Sequence, residues 1–419
     1  MIGIPLISIT IICTFVLFAL SKIGQNNNDN IYILLSQISG LVGSILISWN
    51  FILATRTKII ENTFNGLDKV YKVHNIIGQI AFILLINHPI LLIINSLPFN
   101  STKLYLVPNL NNIPYLFGIL GVYALIILVT LTLFVDIPYK YWKRIHEYMG
   151  LVIILGSIHS LLIVSDTSRY LPLKAWVLAW NSLAILAYFY KRVIYYLIRS
   201  KHNYKVYEVV QEKNYLMITL ESVNPFKSLK FRAGQFAFFS LSKWSGEEHP
   251  FSILEQNESK IKIGTKIIGN FTLQMSNLKV GDLVSVNGPF GVFGDSVKKA
   301  KKSVWISGGI GITPFLSLIS ALNGKFVTMI HTSHSSDSTI FVNIFKNYSY
   351  YFPNFKFVHH LSDQLGRLNN TIIKNYVDLS PDTYVFLCGP NVMMESLCNE
   401  LPKCGIRKKR IIFEDFALK

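Results

Sequence analysis

Acidic residues are scarce in this chain: 23 Asp and Glu stand against 40 Lys and Arg, leaving a net charge of +17 over 419 residues. Cysteine is scarcer still. Cys13, Cys388, Cys398 and Cys404 show no disulfide-framework spacing, which excludes a disulfide-stapled scaffold. Three of the four lie in the half that reads as soluble, which suits a reducing cytosol. No zinc-finger spacing or other nucleic-acid motif accompanies the positive charge, so it points to cytoplasmic loops beside an anionic lipid surface, and no nucleic acid is expected as a partner. Internal repeats and low-complexity stretches are missing as well. Charged residues make up only 15% of the chain, and they are so unevenly spread that the first half holds long uncharged runs.

Six of those runs are long enough to cross a bilayer, at about 3–21, 31–54, 71–97, 114–136, 146–165 and 172–197. The first lacks a basic n-region and a clear small-residue cleavage site, so it is expected to be a membrane helix and not a signal peptide. Positive charge then sets the orientation. Arg56, Lys58, Lys69 and Lys72 follow the second run; Lys140, Lys143 and Arg144 follow the fourth; Lys191, Arg192, Arg199, Lys201 and Lys205 follow the sixth. The alternate loops carry only Lys22, then Lys103, then Arg169 and Lys174. The chain is therefore expected to be a multi-pass protein of the cell membrane with both termini cytoplasmic.

Histidines stand inside the apolar runs in two matched pairs. His74 and His88 are fourteen positions apart, His146 and His159 thirteen. An imidazole in hydrocarbon is costly and needs a partner. Fourteen positions of helix rise about 21 Å, which places one histidine of each pair near each face of a core about 30 Å thick. The third and fifth spans run the same way, so His74 pairs with His146 at the inner face and His88 with His159 at the outer. Two stacked bis-imidazole sites suit two b-type haems; hydrogen-bonded interior histidines are the alternative. One difficulty accompanies the pairing. On an ideal helix thirteen residues leave His159 roughly 140° from His146. Either the fifth span is overwound or kinked, near Gly150 or Gly156, or the two rings reach their partners from different sides.

From about residue 203 the period changes. KVYEVV, YLMITL and FAFFSL alternate as strands do, with Gly and Pro punctuation up to about Phe293, and predict a small antiparallel barrel. From Lys301 the order is strand, glycine turn, helix, strand, as in a parallel α/β sheet, with later strands at FKFVHHL and TYVFLCG. The expected fold is a six-helix transmembrane bundle over 1–200, an antiparallel β-barrel over 201–299 and an α/β parallel-sheet domain over 300–419.

Four soluble motifs carry chemistry. His249-Pro250-Phe251-Ser252 follows Arg232-Ala233-Gly234-Gln235-Phe236 on a barrel strand. Gly269-Asn270-Phe271-Thr272 opens a short helix whose free N–H groups suit a diphosphate. Gly308, Gly309, Gly311, Thr313 and Pro314 lie in a strand–glycine–helix segment that admits a dinucleotide diphosphate. Cys388-Gly389-Pro390 ends a strand and opens a helix. These motifs, in this order, resemble the ferredoxin–NADP reductase family of flavin domains. The resemblance implies that Ser252 meets the flavin ring edge and His249 the FAD phosphates or ribityl, with Pro250 and Phe251 on the same strand. It implies that residues 269–272 hold the FAD diphosphate and that Gly288-Pro289-Phe290-Gly291 is a turn beside the flavin. It places Cys388, with Gly389 and Pro390, near the nicotinamide, and an aromatic near the C-terminus, Phe416 with Phe413 as rival, against the flavin face. His at position 249, where many members have Arg, is the variant typical of membrane NADPH oxidases and ferric reductases. No acidic residue stands at His331-Thr332-Ser333-His334 for a ribose hydroxyl, and Ser333 with Arg367 could hold a 2′-phosphate, so NADPH is favoured over NADH.

Six spans with paired histidines on the third and fifth, then a flavin barrel and a nicotinamide domain, resemble the ferric reductase/NADPH oxidase superfamily over almost the whole chain. The implied activity takes electrons from NADPH through FAD and two haems to an outer small-molecule acceptor. That acceptor is O2, giving superoxide, or a ferric or cupric chelate; loop 98–113, mostly neutral apart from Lys103, tips toward O2. A haem module delivering electrons to a membrane partner is a third reading, against which the complete hydride-donor motifs stand.

Overall fold

The computed structural model describes residues 2–23, 30–97, 102–195, 202–241, 247–322, 324–334 and 340–415. The chain divides into two compact units, residues 1–198 and 199–419.

The first unit is helical: α1 (Gly3–Lys22), α2 (Ile31–Leu53), α3 (Lys58–Phe64), α4 (Leu67–Ser96), α5 (Lys103–Leu106), α6 (Ile113–Leu133), α7 (Tyr139–Glu147), α8 (Met149–Leu162), α9 (Asp166–Arg169) and α10 (Leu171–Phe189). Six spans of 20 to 30 residues are long and apolar enough to cross a membrane, α7 and α8 together forming the fifth. Local chemistry sets several ends. The Asn30 side chain accepts from Tyr32 N–H at 3.2 Å and starts α2. Asn65, at φ 65°, ends α3, and Gly66, at φ 124°, turns the chain into α4. Pro114 and Pro172 stand in the first turns of α6 and α10.

The bundle buries Ile45, Leu46, Trp49 and Leu53 of α2 against Val70, Val73, Ile77 and Ala81 of α4. Isoleucines 4, 9 and 12 of α1 face outward, as helices surrounded by lipid do. Two spans start earlier than the hydropathy pattern suggests. α4 begins at Leu67 and not at 71, because Leu67 and Val70 are buried although Asp68 and Lys69 flank them. The fifth span begins at Tyr139 and not at 146, because the basic segment after Pro138 is itself a helical turn.

The second unit begins with an antiparallel barrel of β1 (His202–Glu212), β2 (Tyr215–Ser222), β3 (Phe236–Leu241), β4 (His249–Asn257), β5 (Lys260–Lys266) and β6 (Leu283–Phe290), closed in the order β1-β2-β5-β4-β3-β6. Leu216, Ile218, Phe239, Ile253, Ile263 and Val286 fill its interior from alternating positions. Gly288, Pro289 and Phe290 are the last residues of β6, so the turn expected there starts at Gly291. A parallel sheet follows, of β7 (Lys302–Gly308), β8 (Phe326–Ser333), β9 (Phe355–Leu361), β10 (Tyr384–Cys388) and β11 (Ile411–Glu414), in the order β11-β10-β7-β8-β9. Central β7 is buried on both faces after its first residue, as a parallel strand covered by helices should be. The architecture is the expected one: an apolar helical bundle, a closed antiparallel barrel and a parallel-sheet domain.

Candidate functional site

The four membrane histidines come together in the two expected pairs. The ring centroids of His74 on α4 and His146 on α7 lie 6.1 Å apart, and those of His88 on α4 and His159 on α8 lie 6.3 Å apart. An iron held between two imidazoles needs about 2 Å to each nitrogen and roughly 1 Å more to each ring centre, so about 6 Å in all. Hydrogen bonds between the rings would bring the centroids closer. The interplanar angles are 70° and 63°.

The angular difficulty on the fifth span resolves at Tyr148, between α7 and α8. Tyr148 N–H donates to Ile145 O at 3.0 Å, and Leu151 N–H to Tyr148 O at 2.8 Å. Both are three-residue bonds, which wind the backbone more tightly than an α-helix. The span is overwound and broken there, so both its histidines face α4.

Three of the four rings are oriented through Nδ1 by a backbone carbonyl. His88 meets Ser36 O at 2.9 Å, His159 meets Pro114 O at 2.8 Å and His74 meets Asn50 O at 3.2 Å. A carbonyl only accepts, so Nδ1 carries the proton and the Nε2 lone pair faces the gap, as in metal-binding histidines. One helical turn beyond two of these carbonyls stands a glycine. A Cβ on Gly40 would lie 2.8 Å from His88 Nδ1, and one on Gly118 2.9 Å from His159 Nδ1. Glycine lets α2 and α6 come close enough for their carbonyls to reach the rings. His146 differs: its Nδ1 is buried and has no hydrogen-bond partner among the described residues, and its ring lies on Trp142. The donor set and spacing fit two bis-imidazole haems.

In the barrel, β4 places His249, Pro250, Phe251 and Ser252 opposite Phe239, Phe238, Ala237 and Phe236 of β3. Ser252 is buried. The second motif joins this strand directly. Phe271, in the helix Asn270–Ser276, stacks on His249 with centroids 4.0 Å apart and on Phe251 at 6.0 Å. Burial pushes the His249 imidazole below its usual range, and Glu247 Oε2, 3.4 Å from Nε2, opposes the shift. Thr272 Oγ1 accepts from Ile268 N–H at 3.0 Å and Gly269 N–H at 3.1 Å and fixes the loop before the helix. The Gln235 side chain donates to Gly291 O at 3.1 Å, and Gly234 N–H donates to Ser317 Oγ at 2.8 Å, so the first motif also touches the helix Thr313–Leu318 after the glycine turn.

The glycine turn and the cysteine turn meet at the ends of neighbouring strands. Ser307 of β7 is in register with Cys388 of β10. A Cβ at Gly311 would collide with the Cys388 carbonyl, and one at Gly308 would lie 2.9 Å from Pro390 Cδ, while Gly309, at φ 54°, has open space. Thr313 and Pro314 open the helix behind. Sequence order reverses between β7 and β10, and in open α/β sheets the crevice at such a switch point is where dinucleotides bind. Cys388 is buried. Ser333 Oγ, at the end of β8, is 2.8 Å from His359 Nε2 on β9, and Arg367 is exposed beyond Gly366. Phe416 lies outside the described residues; its rival Phe413 packs within the sheet on β11, in register with Leu387.

Sequence reasoning missed Ser36, Gly40, Asn50, Pro114, Gly118 and Trp142. The glycines one turn after Ser36 and Pro114 were the available signal, but only the register between helices shows which ring each one faces.

Two family models match. Ferric reductase like transmembrane component covers residues 39–157, which hold three of the four histidines and end two residues before His159, and oxidoreductase NAD-binding domain covers residues 305–399. Among curated proteins, a flavohemoprotein of Candida albicans is 30% identical over 57% of this chain and 66% of its own length. One component of a Na(+)-translocating NADH-quinone reductase from Neisseria meningitidis is 30% identical over 36% of this chain and 41% of its own length. The chain thus spans less than two thirds of either relative. Among solved structures, flavohemoglobin from Malassezia yamatoensis, with bound FAD and heme, shares the fold at a TM-score of 0.55 and 18% identity, over 93% of this chain and 99% of that one.

Proposed function

Because this chain matches the ferric reductase/NADPH oxidase superfamily, a ferric reductase-like transmembrane component carried with an NAD-binding oxidoreductase domain, we propose that it moves electrons from cytosolic NADPH across the membrane to an outer small-molecule acceptor, O2 before metal chelates. The observation that carries this is the pair of imidazole gaps, 6.1 and 6.3 Å between centroids. When bound, FAD accepts hydride and the two b-type haems carry single electrons.

The chain's own residues supply position and selectivity. His74 with His146, and His88 with His159, hold the two irons, and the carbonyls of Asn50, Ser36 and Pro114 fix three of those rings. Ser252 bonds the flavin edge. His249, Pro250 and Phe251 line it, and residues 269–272 hold the diphosphate. Gly308, Gly309, Gly311, Thr313 and Pro314 receive the nicotinamide dinucleotide. Cys388, Gly389 and Pro390 would border the nicotinamide, and the role of the C-terminal aromatic stays assigned to Phe416. Ser333 and Arg367 take the 2′-phosphate, which favours NADPH over NADH. We assign residues 1–200, 201–299 and 300–419 to the haem, FAD and NAD(P)H domains, with the N-terminus and the dehydrogenase cytoplasmic.

Loop residues 103–112 favour O2 as acceptor. Lys103 is their only charge, and Leu106, Val107 and Leu110 are exposed there, which is poor ground for an anionic chelate. The test is purified protein given NADPH with cytochrome c or a ferric chelate. Superoxide-dismutase-sensitive cytochrome c reduction is expected, at several times the chelate rate. Chelate reduction alone would make it a metal reductase. Flavin turnover with neither acceptor reduced would favour a role in electron delivery to a membrane partner.

A further inference from the structure

The two histidine pairs are not built alike. His88 and His159 are each backed by a carbonyl, with a glycine beside the ring. In the other pair His74 has its carbonyl, and the Nδ1 of His146 is buried with no acceptor among the described residues. His146 has a flat aromatic support instead. Its ring and the Trp142 indole are 3° from parallel, with centroids 5.3 Å apart. Trp142 is one helical turn earlier on α7, where residues four apart share a face. The indole is anchored in turn: Nε1–H donates to Thr132 O on α6 at 2.9 Å, and Tyr139 stacks on it at 5.8 Å and 17°.

We propose that Trp142 is a positioning residue for the His74/His146 site: its anchored face sets the His146 ring plane, the task that a carbonyl performs at the other three histidines. This rests on the reading of the pairs as haem ligands. Two consequences follow for the chain's own groups. An imidazole whose N–H lacks an acceptor is a less basic ligand than one bonded to a carbonyl, so the two iron sites are electronically unequal. The 70° between the His74 and His146 planes also depends on a stack that one substitution can remove.

The test compares the purified full-length protein with W142L and W142F. Haem per chain is counted by pyridine haemochrome, low-spin ferric signals are recorded by electron paramagnetic resonance, and midpoints are read in a potentiometric titration followed at the Soret band. W142L is expected to broaden one of two low-spin signals and lower one of two midpoints, because a freed ring finds water for its Nδ1–H. The other signal and midpoint stay at wild-type values. W142F, which keeps an aromatic face, stays close to wild type in both. Loss of one haem from W142L, with the survivor at an unchanged midpoint, also supports the assignment. Unmoved signals, equal movement or loss of both haems, or a W142F as disturbed as W142L would overturn it. A wild-type protein without two haems would instead overturn the reading of the histidine pairs.

Discussion

His331, near the end of β8, is a buried imidazole whose ring stacks on His359 of β9 at 5.5 Å. Burial, reinforced by His359, pushes its pKa down from 6.5 to about 3, against a raising contribution from the Ser307 backbone. It therefore stays neutral in the fold, while an unfolded chain charges it near its ordinary value of 6.5. Below that pH the unfolded state binds a proton that the fold does not, so stability falls as pH drops from about 6.5 toward 3. The slope is roughly 1.4 kcal/mol per pH unit for this one group, and it vanishes above 6.5. His331→Gln cannot charge and should lose less stability than wild type between pH 7 and pH 5, by circular dichroism melts of the full chain. Parallel losses in the two proteins would refute it. From the sequence, HTSH was legible as a strand end with no acidic residue within it; the fold brings Asp363 Oδ1 to 2.6 Å from His334 Nδ1, a pairing that its place beyond β9 did not announce. The stack was not legible either, because the register of β8 on β9, which sets His331 opposite His359, is decided by tertiary packing.

At the scale of elements, helices α2 and α6 do the same job at the two ends of one histidine pair. Each presents a carbonyl and, one turn on, a glycine to a ring: Ser36 with Gly40 for His88, and Pro114 with Gly118 for His159. Added Cβ atoms 2.8 and 2.9 Å from the Nδ1 atoms force the rings or the helices apart. Gly40→Ala and Gly118→Ala should each weaken haem binding at that pair by roughly 10- to 100-fold, the usual cost of losing the group that orients a metal ligand. Haem content should fall toward one per chain, and the remaining Soret component should keep its wild-type midpoint. Two haems at full occupancy in both variants would show that the close approach is not needed. Histidine spacing was enough to pair the helices, and it exposed the misfit on the fifth span. Overwinding near Gly150 was one of the two remedies open to the sequence, but its position was hidden because Tyr148 carries no helix-breaking signature. The overwound turn becomes visible only with its two three-residue hydrogen bonds in hand.

At the scale of the whole molecule, basic charge gathers at one end of the helical bundle. Arg192, just past α10, pairs with Glu147 at the end of α7, and the guanidinium of Arg56 lies 5.2 Å from the Tyr71 ring centroid at the start of α4. The exit of the sixth span thus lies beside the entry of the fifth, and the exit of the second beside the entry of the third; the His74 and His146 rings, 6.1 Å apart, join the two sets at one end, where Lys140, Lys143 and Arg144 also stand. The opposite connections hold few cations and expose Leu106, Val107 and Leu110. The domain order was legible in the sequence because apolar runs, two-residue alternation and glycine turns succeed one another without overlap. The sidedness rests on loop charge alone, so it needs its own measurement. Asn111→Cys, in the neutral connection, should react with a membrane-impermeant maleimide on intact cells, while Asn62→Cys, on α3 among the basic residues, should react only after permeabilisation; peptide mapping identifies the labelled position. Both side chains are at least partly exposed, so failure to label is not a matter of burial. The reverse pattern would place the dehydrogenase outside, away from its supply of NADPH, and the outward direction of electron flow would fall with it.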